Sequence, residues 1–344
     1  MTTGYALLTP GGRLEPWTFQ RRDLRPDDVR IRITYCGVCH SDLHAIEGAS
    51  EFPLVPGHEF TGVVTEAGPE VAAFTVGDAV AVGNIVDSCG TCAACLDEEE
   101  SYCREFPTLT YGGVDRHDGT PRYGAYSDEM VVRDRFVYAM PEGLDPAGVA
   151  PLMCAGITVW QPLRRLRVGR GTRVGVVGLG GLGHLAVKFA KALGASVAVF
   201  TTSSTKRDLA LALGADEVVL STSPDDMASH GYAFDVIIDT ASGTHDISPY
   251  ALTLDYDGTI CMLGLPPTYE VDAMALLFGR RHVTSSGSGG VRDTREMLAF
   301  AAKNGITADV EVLPASRIQE ALDRLERNEA RWRFVVDFAV TPEA

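Results

Sequence analysis

The chain has 344 residues, enough for two domains of ordinary size, and 45% of them are hydrophobic. The formal net charge of −16 argues against nucleic acid as a general partner, because phosphate binding needs clustered Lys and Arg. No apolar run approaches the roughly 18 residues of a membrane span, and the N-terminus has no basic segment leading into an apolar one. We therefore expect a cytoplasmic protein without a membrane partner, in which clustered cysteines bind metal rather than form disulfides.

Residues 1–150 predict an irregular, β-rich domain, because they are rich in Gly and Pro and contain short β-branched runs such as Val29–Tyr35 and Gly62–Val64. After Cys154, strands and helices alternate. The predicted strands of this part lie at residues 173–177, 196–200, 217–220, 234–238 and 259–263, and the predicted helices at 182–193 and 206–213. This alternation predicts a parallel, doubly wound sheet.

The last part of the chain begins with a Ser- and Gly-rich stretch at residues 285–290, which predicts a return crossing out of the parallel sheet. A helix near 317–327 and a strand near 333–338 are expected to rejoin the first domain. The predicted fold class is therefore α/β. Two domains are expected: a β-rich one at 1–154 and 288–344, and a doubly wound, dinucleotide-binding one at 155–287.

Four cysteines with the spacing Cys-x2-Cys-x2-Cys-x7-Cys occupy one loop: Cys89, Cys92, Cys95 and Cys103. Four thiolates at such spacings close a tetrahedron around Zn²⁺ and leave no open position, which indicates a structural site. An iron–sulfur cluster is an alternative for thiols alone, as is a set of unrelated thiols, although no nearby sequence resembles a ferredoxin. The adjoining acidic run at residues 97–100 is expected to be a solvated face of the loop.

A second set of metal-binding residue types is dispersed along the chain and consists of Cys39, His58 and Cys154. Spacing cannot pair residues this far apart. Taken alone, His58 is also typical of a hydrogen-bonded structural histidine, and Cys154 of a buried core thiol. Cys36, in the preceding strand, is expected to pack in the core.

A Gly-rich segment follows the strand at 173–177 and opens a helix: Gly178-Leu-Gly180-Gly181-Leu182-Gly183. In a dinucleotide-binding fingerprint, the first Gly makes the tight turn, the second lets the backbone approach the pyrophosphate, and the third packs the helix on the strand. The pyrophosphate then meets the positive end of that helix.

The end of the next strand carries Thr201 and Thr202, where an NAD-preferring site usually has Asp or Glu for the ribose hydroxyl. Lys206 and Arg207 stand in the first turn of the following helix, where the macrodipole disfavours cations unless a phosphate is bound. The alternative is that both are ordinary exposed bases. This pattern favours NADP over NAD.

Together these motifs resemble the zinc-containing medium-chain dehydrogenase/reductase superfamily. The run Gly57-His58-Glu59-x2-Gly62-x5-Gly68-x2-Val71 matches its zinc alcohol dehydrogenase signature, and the four-cysteine loop matches its structural zinc lobe. Cys39-His40-Ser41-Asp42, Cys154-Ala-Gly-Ile-Thr and the glycine loop are similar to the cinnamyl alcohol dehydrogenase branch and its NADP-dependent aldehyde reductase relatives. The resemblance spans essentially the whole chain, and it implies a GroES-like catalytic domain and a Rossmann cofactor domain.

The resemblance implies that Cys39, His58 and Cys154 hold a catalytic zinc, so that each chain would bind two Zn²⁺. Two thiolates and one imidazole leave a fourth position for water or a carbonyl oxygen. Glu59 is in the family an occasional fourth ligand, and a supporting carboxylate is the alternative. Asp42 resembles the acid that orients the ligand histidine.

Ser41 and His44 match the family's proton relay, which runs through the nicotinamide ribose hydroxyl; without the family, His44 is equally typical of a surface histidine. The resemblance also implies cofactor contacts at the pyrophosphate (His40) and the 2′-phosphate (Thr201, Thr202, Ser203, Lys206). Thr240 and Gly264 follow strands at their carboxyl ends, where doubly wound sheets bind ligands, and are expected to line the nicotinamide and its ribose, with Ser286 to Ser288 on the nicotinamide side.

The implied activity is that of a zinc-dependent alcohol dehydrogenase or aldehyde reductase, which moves hydride between NADP(H) and aromatic or aliphatic alcohol/aldehyde pairs. Relatives of this branch pair as homodimers through the cofactor domain, which points here to residues near 271–283. A zinc polyol dehydrogenase using NAD is the alternative within the enzyme class. A structural or binding relative without activity is the alternative outside it.

Overall fold

The computed structural model describes residues 1–339, which form two compact units. One unit consists of residues 1–154 and the chain from Gly289 onward, and the other of Ala155–Ser288. Residues 340–344, which the sequence assigned to the β-rich domain, lie outside the described residues.

Seventeen strands occur in residues 1–339: β1 (Thr2–Leu7), β2 (Leu14–Phe19), β3 (Asp28–Val38), β4 (Phe60–Ala67), β5 (Ala79–Val82), β6 (Ile85–Asp87), β7 (Thr108–Leu109), β8 (Glu129–Arg133), β9 (Val137–Ala139), β10 (Arg173–Val177), β11 (Ser196–Thr201), β12 (Glu217–Leu220), β13 (Phe234–Asp239), β14 (Leu254–Met262), β15 (His282–Ser285), β16 (Val310–Pro314) and β17 (Arg333–Asp337). The same residues contain eleven α-helices: α1 (His40–Glu47), α2 (Ala93–Leu96), α3 (Pro146–Val149), α4 (Ala155–Arg165), α5 (Gly183–Ala192), α6 (Arg207–Ala212), α7 (Pro224–Ser229), α8 (Ser248–Thr253), α9 (Ala273–Leu277), α10 (Val291–Asn304) and α11 (Ile318–Glu326). None of these helices has both the length and the apolar character of a membrane span.

The first unit is built on a seven-stranded sheet in the order β16-β17-β3-β4-β5-β9, with β8 also paired to β3. Along β3, the side chains of Val29, Ile31 and Ile33 are buried while Arg32 is exposed, as alternation across a half-buried strand requires. β17 pairs antiparallel with β3, so the end of the described chain returns to the sheet that the first strands build.

The second unit is a six-stranded, entirely parallel sheet in the order β12-β11-β10-β13-β14-β15. This is the strand order of the Rossmann fold, with its reversal point between β10 and β13. The predicted doubly wound sheet is confirmed, and all five strands predicted from their apolar runs are present. β15 was not predicted, because all four residues of this edge strand, His-Val-Thr-Ser, are exposed and show no apolar pattern.

The core of the second unit is built from the buried side chains of these strands. Val177, Phe200, Ile237 and Ile260 come from four neighbouring strands and form one buried cluster. This packing holds the four strands together, and with them the loops that follow their carboxyl ends.

Candidate active site

Cys39, His58 and Cys154 come from three separate segments of the first unit, and their ligand atoms all lie within 4.8 Å of one another. The Sγ atoms of the two cysteines are 4.0 Å apart, and Nε2 of His58 is 3.2 Å from Sγ of Cys154. Ligands of a tetrahedral Zn²⁺ lie about 3.5–3.8 Å from one another, so this set fits the ion. Cys36 is fully buried in β3 and is not part of the group.

Asp42 organises this group. Its carboxylate accepts hydrogen bonds from the N–H of Cys39 (3.0 Å), the N–H of Gly57 (3.1 Å) and the hydroxyl of Tyr126 (2.9 Å). Its Oδ1 also lies 3.0 Å from Nδ1 of His58. Since a carboxylate accepts only, Nδ1 carries the proton and the lone pair of Nε2 is left for a metal.

The same carboxylate starts helix α1, because it accepts from the backbone of the N-cap residue Cys39. Helix α1 was not predicted from the sequence. The helix is short, and Asp42 is its only fully buried side chain, so its cap and its contacts with Gly57 and His58 define it more than any apolar stripe does.

Charge in this group favours metal binding. The Cys154 thiol lowers the pKa of Cys39 well below its ordinary value, against the effect of burial. Burial lowers the pKa of His58, but the Asp42 carboxylate reverses that shift and leaves the pKa well above its ordinary value. A cation that binds here therefore meets a ready thiolate and displaces a proton from the imidazole.

The four-cysteine loop also forms a compact group, with its four ligand atoms within 4.8 Å of one another. Sγ of Cys95 lies 3.7 Å from Sγ of Cys89 and 3.5 Å from Sγ of Cys92. The N–H groups of Thr91 and Cys92 lower the pKa of Cys89 to about 6, whereas burial raises that of Cys95 to about 12. Four sulfurs at these distances fit a closed tetrahedral Zn²⁺ site.

The acidic run beside this loop is not simply a solvated face, and for Glu100 that expectation was wrong. Glu100 is fully buried; its Oε1 accepts from Arg135 (2.7 Å) and its Oε2 from the N–H of Val291 (2.9 Å), the first residue of α10. Glu99 pairs with Arg292 at 2.9 Å. Only Asp97 of the run is exposed in the way predicted.

The glycine loop of the second unit has the geometry of a dinucleotide cradle. Gly178 has φ +87°, and a Cβ on Gly183 would collide with the carbonyl oxygen of Gly178. A Cβ on Gly180 would meet no protein atom within 4 Å, so this position faces open space where a ligand can approach the backbone. The hydroxyl of Thr240 donates to the carbonyl of Val177 (2.7 Å) and fastens the end of β13 to the end of β10.

Two family models match the chain: an alcohol dehydrogenase GroES-like domain over residues 25–142 and a zinc-binding dehydrogenase over residues 181–303. A probable mannitol dehydrogenase of Fragaria ananassa is 46% identical, over 98% of this chain and 96% of its own. A solved cinnamyl alcohol dehydrogenase (CAD) of Sorghum bicolor is 43% identical with a TM-score of 0.95, over 100% of this chain and 99% of its own. A solved CAD of Helicobacter pylori, complexed with NADP(H), is 34% identical with a TM-score of 0.92, over 99% of both chains.

The chain belongs to the zinc-binding alcohol dehydrogenase family. The resemblance found in the motifs, to the cinnamyl alcohol dehydrogenase branch, is confirmed. The predicted combination of a GroES-like and a Rossmann domain is confirmed as well, and so is the predicted enzyme class, a zinc-dependent alcohol dehydrogenase or aldehyde reductase.

In this dehydrogenase, Glu59 is fully buried and pairs with Arg333 of β17, and it is not one of the residues whose ligand atoms group with His58. Among the described residues, Glu59 Oε2 and Arg333 Nε have no hydrogen-bond partner. Burial raises the pKa of Glu59 to about 7, although Arg333 acts to lower it. A Cβ on Gly37 would collide with this carboxylate, so glycine at this position leaves room for it.

The predicted relay residues of the dehydrogenase lie on α1. Ser41 Oγ is 3.3 Å from Nε2 of His58 and therefore stands at the metal-ligand group. His44 lies one turn further along, with 58% of its side chain exposed and its Nδ1 3.7 Å from Glu47. His40, at the first position of the helix, is half-buried, and burial lowers its pKa.

At the end of β11, the residues predicted to bind the 2′-phosphate differ in exposure. Thr201 is buried and its hydroxyl accepts from the N–H of Ser203 (3.2 Å), whereas Thr202 and Lys206 are exposed. Lys206 ends a short 3-10 turn, and α6 begins only at Arg207. No carboxylate stands on residues 201–206.

The remaining predicted cofactor residues follow β14 and β15. Gly264 lies so close to the carbonyl oxygen of Ala241 that a Cβ there would overlap it. Ser286 is buried and donates to Oε1 of Gln161 (2.6 Å), and Ser288 is buried with φ +93°.

Arg333 and Tyr126 are site residues that were not predicted from the sequence. Arg333 is 274 positions from Glu59 in the sequence, and an arginine within a strand indicates an exposed position. Tyr126 lies in a loop, where a tyrosine carries no signal of its own. Only the pairing of β17 with β3 brings Arg333 to the site.

Proposed function

We propose that this dehydrogenase reduces aldehydes with NADPH at a zinc ion held by Cys39, His58 and Cys154. The observation that carries the proposal is the three-ligand group, which leaves one tetrahedral position for a substrate oxygen, whereas the four-cysteine group leaves none. The family membership supports zinc at both groups, and two Zn²⁺ per chain are therefore part of the proposal.

Zinc bound here would polarise the aldehyde carbonyl, and a bound nicotinamide would supply the hydride. The chain's own residues then have three tasks. Asp42 fixes the imidazole of His58. Ser41 would pass a proton to the product oxygen, since its hydroxyl lies at the metal-ligand group, and His44 would supply that proton from its exposed position on α1. Glu59 stays paired with Arg333 and serves as an alternative ligand only if that pair opens.

We propose NADP(H) as the cofactor because no carboxylate at the end of β11 would repel a 2′-phosphate. The Helicobacter pylori relative complexed with NADP(H) supports this choice. The proposed contacts are the phosphate-binding residues Thr201, Thr202, Ser203 and Lys206, the pyrophosphate-binding residues His40, Gly178, Gly180, Gly181, Leu182 and Gly183, and the nicotinamide-side residues Thr240, Gly264, Ser286 and Ser288.

The test is NADPH oxidation by the purified enzyme with cinnamaldehyde, benzaldehyde and an aliphatic aldehyde, beside NADH with each. We expect turnover with NADPH, and loss of turnover in Cys154→Ala with the fold retained. Thr202→Asp should raise KM for NADPH by about tenfold or more and leave KM for NADH nearly unchanged, because a carboxylate opposes the 2′-phosphate. Turnover by Cys154→Ala at the native rate would contradict the zinc site.

Polyol oxidation is the second candidate, and the similarity to a probable mannitol dehydrogenase favours it. Polyol oxidation and aldehyde reduction differ in substrate and cofactor, so the same enzyme is assayed with mannitol and either NAD or NADP. Faster polyol oxidation with NAD than aldehyde reduction with NADPH would make the polyol reaction the principal one.

We further propose a cytoplasmic homodimer. The edge strand β15, helix α9 and the segments next to them in the chain expose large apolar side chains: Leu265, Met274, Leu277, Phe278 and Val283. An exposed strand edge with apolar neighbours is a surface that a soluble chain normally covers. The eight free cysteines fit the reducing conditions of the cytoplasm.

A further inference from the structure

A buried carboxylate at the end of β13 holds the loop that follows it. Asp239 is fully buried; its Oδ1 accepts from the N–H of Ala241 (3.0 Å), and its Oδ2 lies 2.8 Å from Nε2 of His245. Nδ1 of His245 lies 2.8 Å from the carbonyl oxygen of Gly243. Both ends of the loop 240–245 therefore return to one carboxylate.

The two contacts of His245 need two protons, one for each contact. A neutral imidazole beside an ionised carboxylate carries only one. The carbonyl oxygen of Gly243 only accepts, so Nδ1 must donate. The contact with Asp239 also needs a proton, which sits either on Nε2 or on the carboxyl oxygen. Loss of that proton would set a nitrogen lone pair against a buried, charged oxygen, and the contact would become repulsive.

The groups around the pair favour retention of this proton. Asp246 is the further charged neighbour of His245, and the ring of Tyr250 stands edge-on to the imidazole at 5.9 Å between centroids. Burial raises the pKa of Asp239. Burial lowers the pKa of His245, but the Gly243 carbonyl and the carboxylates of Asp239 and Asp246 raise it above its ordinary value.

The loop lies beside the glycine loop. Thr240, its first residue, donates from both its N–H (3.0 Å) and its hydroxyl (2.7 Å) to the carbonyl of Val177, directly before Gly178. Ala241 packs on Gly264 at the end of β14. Residues 242–244 are exposed at this carboxyl edge, where doubly wound sheets bind their ligands.

We propose that Asp239 and His245 form a proton-dependent latch that holds the loop 240–245 in the shape that binds NADP(H). His245 is a positioning residue, since it acts through the loop. This rests on the proposed function, because the cofactor is the ligand whose affinity the latch sets. A histidine whose folded-state pKa is raised contributes fully below its ordinary value of about 6.5, and the contribution is lost as pH rises through the raised value. Cofactor affinity should therefore fall as the pH rises above neutrality.

The experiment measures the Kd of NADPH for the zinc-loaded enzyme by nicotinamide fluorescence, from about pH 6.5 to about pH 9.5. We expect Kd to increase about fivefold over this range in the native enzyme, the equivalent of one lost hydrogen bond. His245→Gln keeps an N–H toward Asp239 without titrating, so its Kd should change little with pH. His230→Gln is the matched control, because His230 also pairs with acids of the same unit, Glu217 and Asp226, but these carboxylates are 51% and 31% exposed, whereas Asp239 is fully buried. This variant should keep the native dependence of Kd on pH.

Equal pH slopes in the native enzyme and in His245→Gln would overturn the latch while leaving NADPH binding intact. Absence of NADPH binding at every pH in the native enzyme would instead overturn the proposed function. The NMR titration of the His245 ring in the cofactor-free enzyme is the second readout. A pKa above about 6.5 supports the latch, and a value at or below it overturns the latch whatever the fluorescence gives.

Discussion

Asp42 shows why a single acid is needed at the metal-ligand group. Its four partners all donate: the N–H groups of Cys39 and Gly57, the ring N–H of His58 and the hydroxyl of Tyr126. An asparagine has the same shape, but its NH2 group would face at least one of these donors. Because an NH2 group cannot accept a hydrogen bond from a donor, at least one of the four hydrogen bonds would be lost.

Asp42→Asn should therefore weaken zinc at the three-ligand group by about 10–100-fold, because the ligand histidine is no longer held in one tautomer. Competition with a chelating dye measures this, and the zinc of the four-cysteine loop should be unaffected. Asp145→Asn is the control, since Asp145 caps α3 by accepting from Ala147 (3.2 Å), which asparagine does equally well. Equal zinc loss in both variants would contradict the argument.

The residues of this site were predictable to the degree that their chemistry is local. Cysteine spacing identifies the four-sulfur loop, and a glycine pattern after a strand identifies the dinucleotide cradle. Cys39, His58 and Cys154 became a group only through the family resemblance. The pairs Glu59–Arg333 and Asp239–His245 were missed because neither spacing nor composition distinguishes a buried ion pair from two surface charges.

At the scale of elements, the four-cysteine loop is joined to helix α10. The N–H of Val291 donates to the Glu100 carboxylate, and the N–H of Arg292 points to the carbonyl of Glu98 (3.4 Å). A Cβ on Gly290 would collide with the backbone of residues 98–100, so the loop and the helix start are in direct contact. An acid at a helix N-terminus also interacts favourably with the macrodipole.

Glu100→Ala should destabilise the protein by about 2–4 kcal/mol, because it leaves the N–H of Val291 and the Arg135 guanidinium without their buried acceptor. The free energy of unfolding in urea, with zinc content checked in parallel, measures the loss. Glu98→Ala is the matched control from the same acidic run: Glu98 is 37% exposed and its nearest charge contact is 3.6 Å, so its loss should cost no more than about 0.5 kcal/mol. Similar losses for the two variants would be inconsistent with the capping role.

Elements were predictable where burial imposes a pattern. The strands β10 to β14 contain buried residues and appear in the sequence as apolar, β-branched runs. The edge strand β15 has no buried residue and shows no apolar pattern. Helix α1 was not predicted for a related reason, since the Asp42 carboxylate and the N-cap residue Cys39 define its start instead of an apolar stripe.

At the scale of the whole molecule, the two sheets end differently. β15 and β16 are both edge strands with an exposed valine, Val283 (41% exposed) and Val312 (44% exposed). Within residues 1–339, only β15 of these two strands is accompanied by a group of exposed large apolar residues, among them Leu277 (64%) and Phe278 (73%). Burying such a group would gain roughly 25 cal/mol per Å² of apolar surface, so β15 is the edge at which two chains should pair.

Val283→Lys should consequently shift the protein from dimer to monomer at micromolar concentration, since a charge placed at the pairing edge must be desolvated without a partner. Val312→Lys introduces the same charge on an equally exposed edge valine and should leave the dimer intact. Sedimentation velocity of both variants beside the native protein makes the comparison. A monomeric native protein would contradict the homodimer, and a dimer that Val283→Lys leaves intact would place the interface away from β15. Since the cofactor unit contains this edge, cofactor binding by the monomeric variant then reports whether pairing contributes to the Rossmann site.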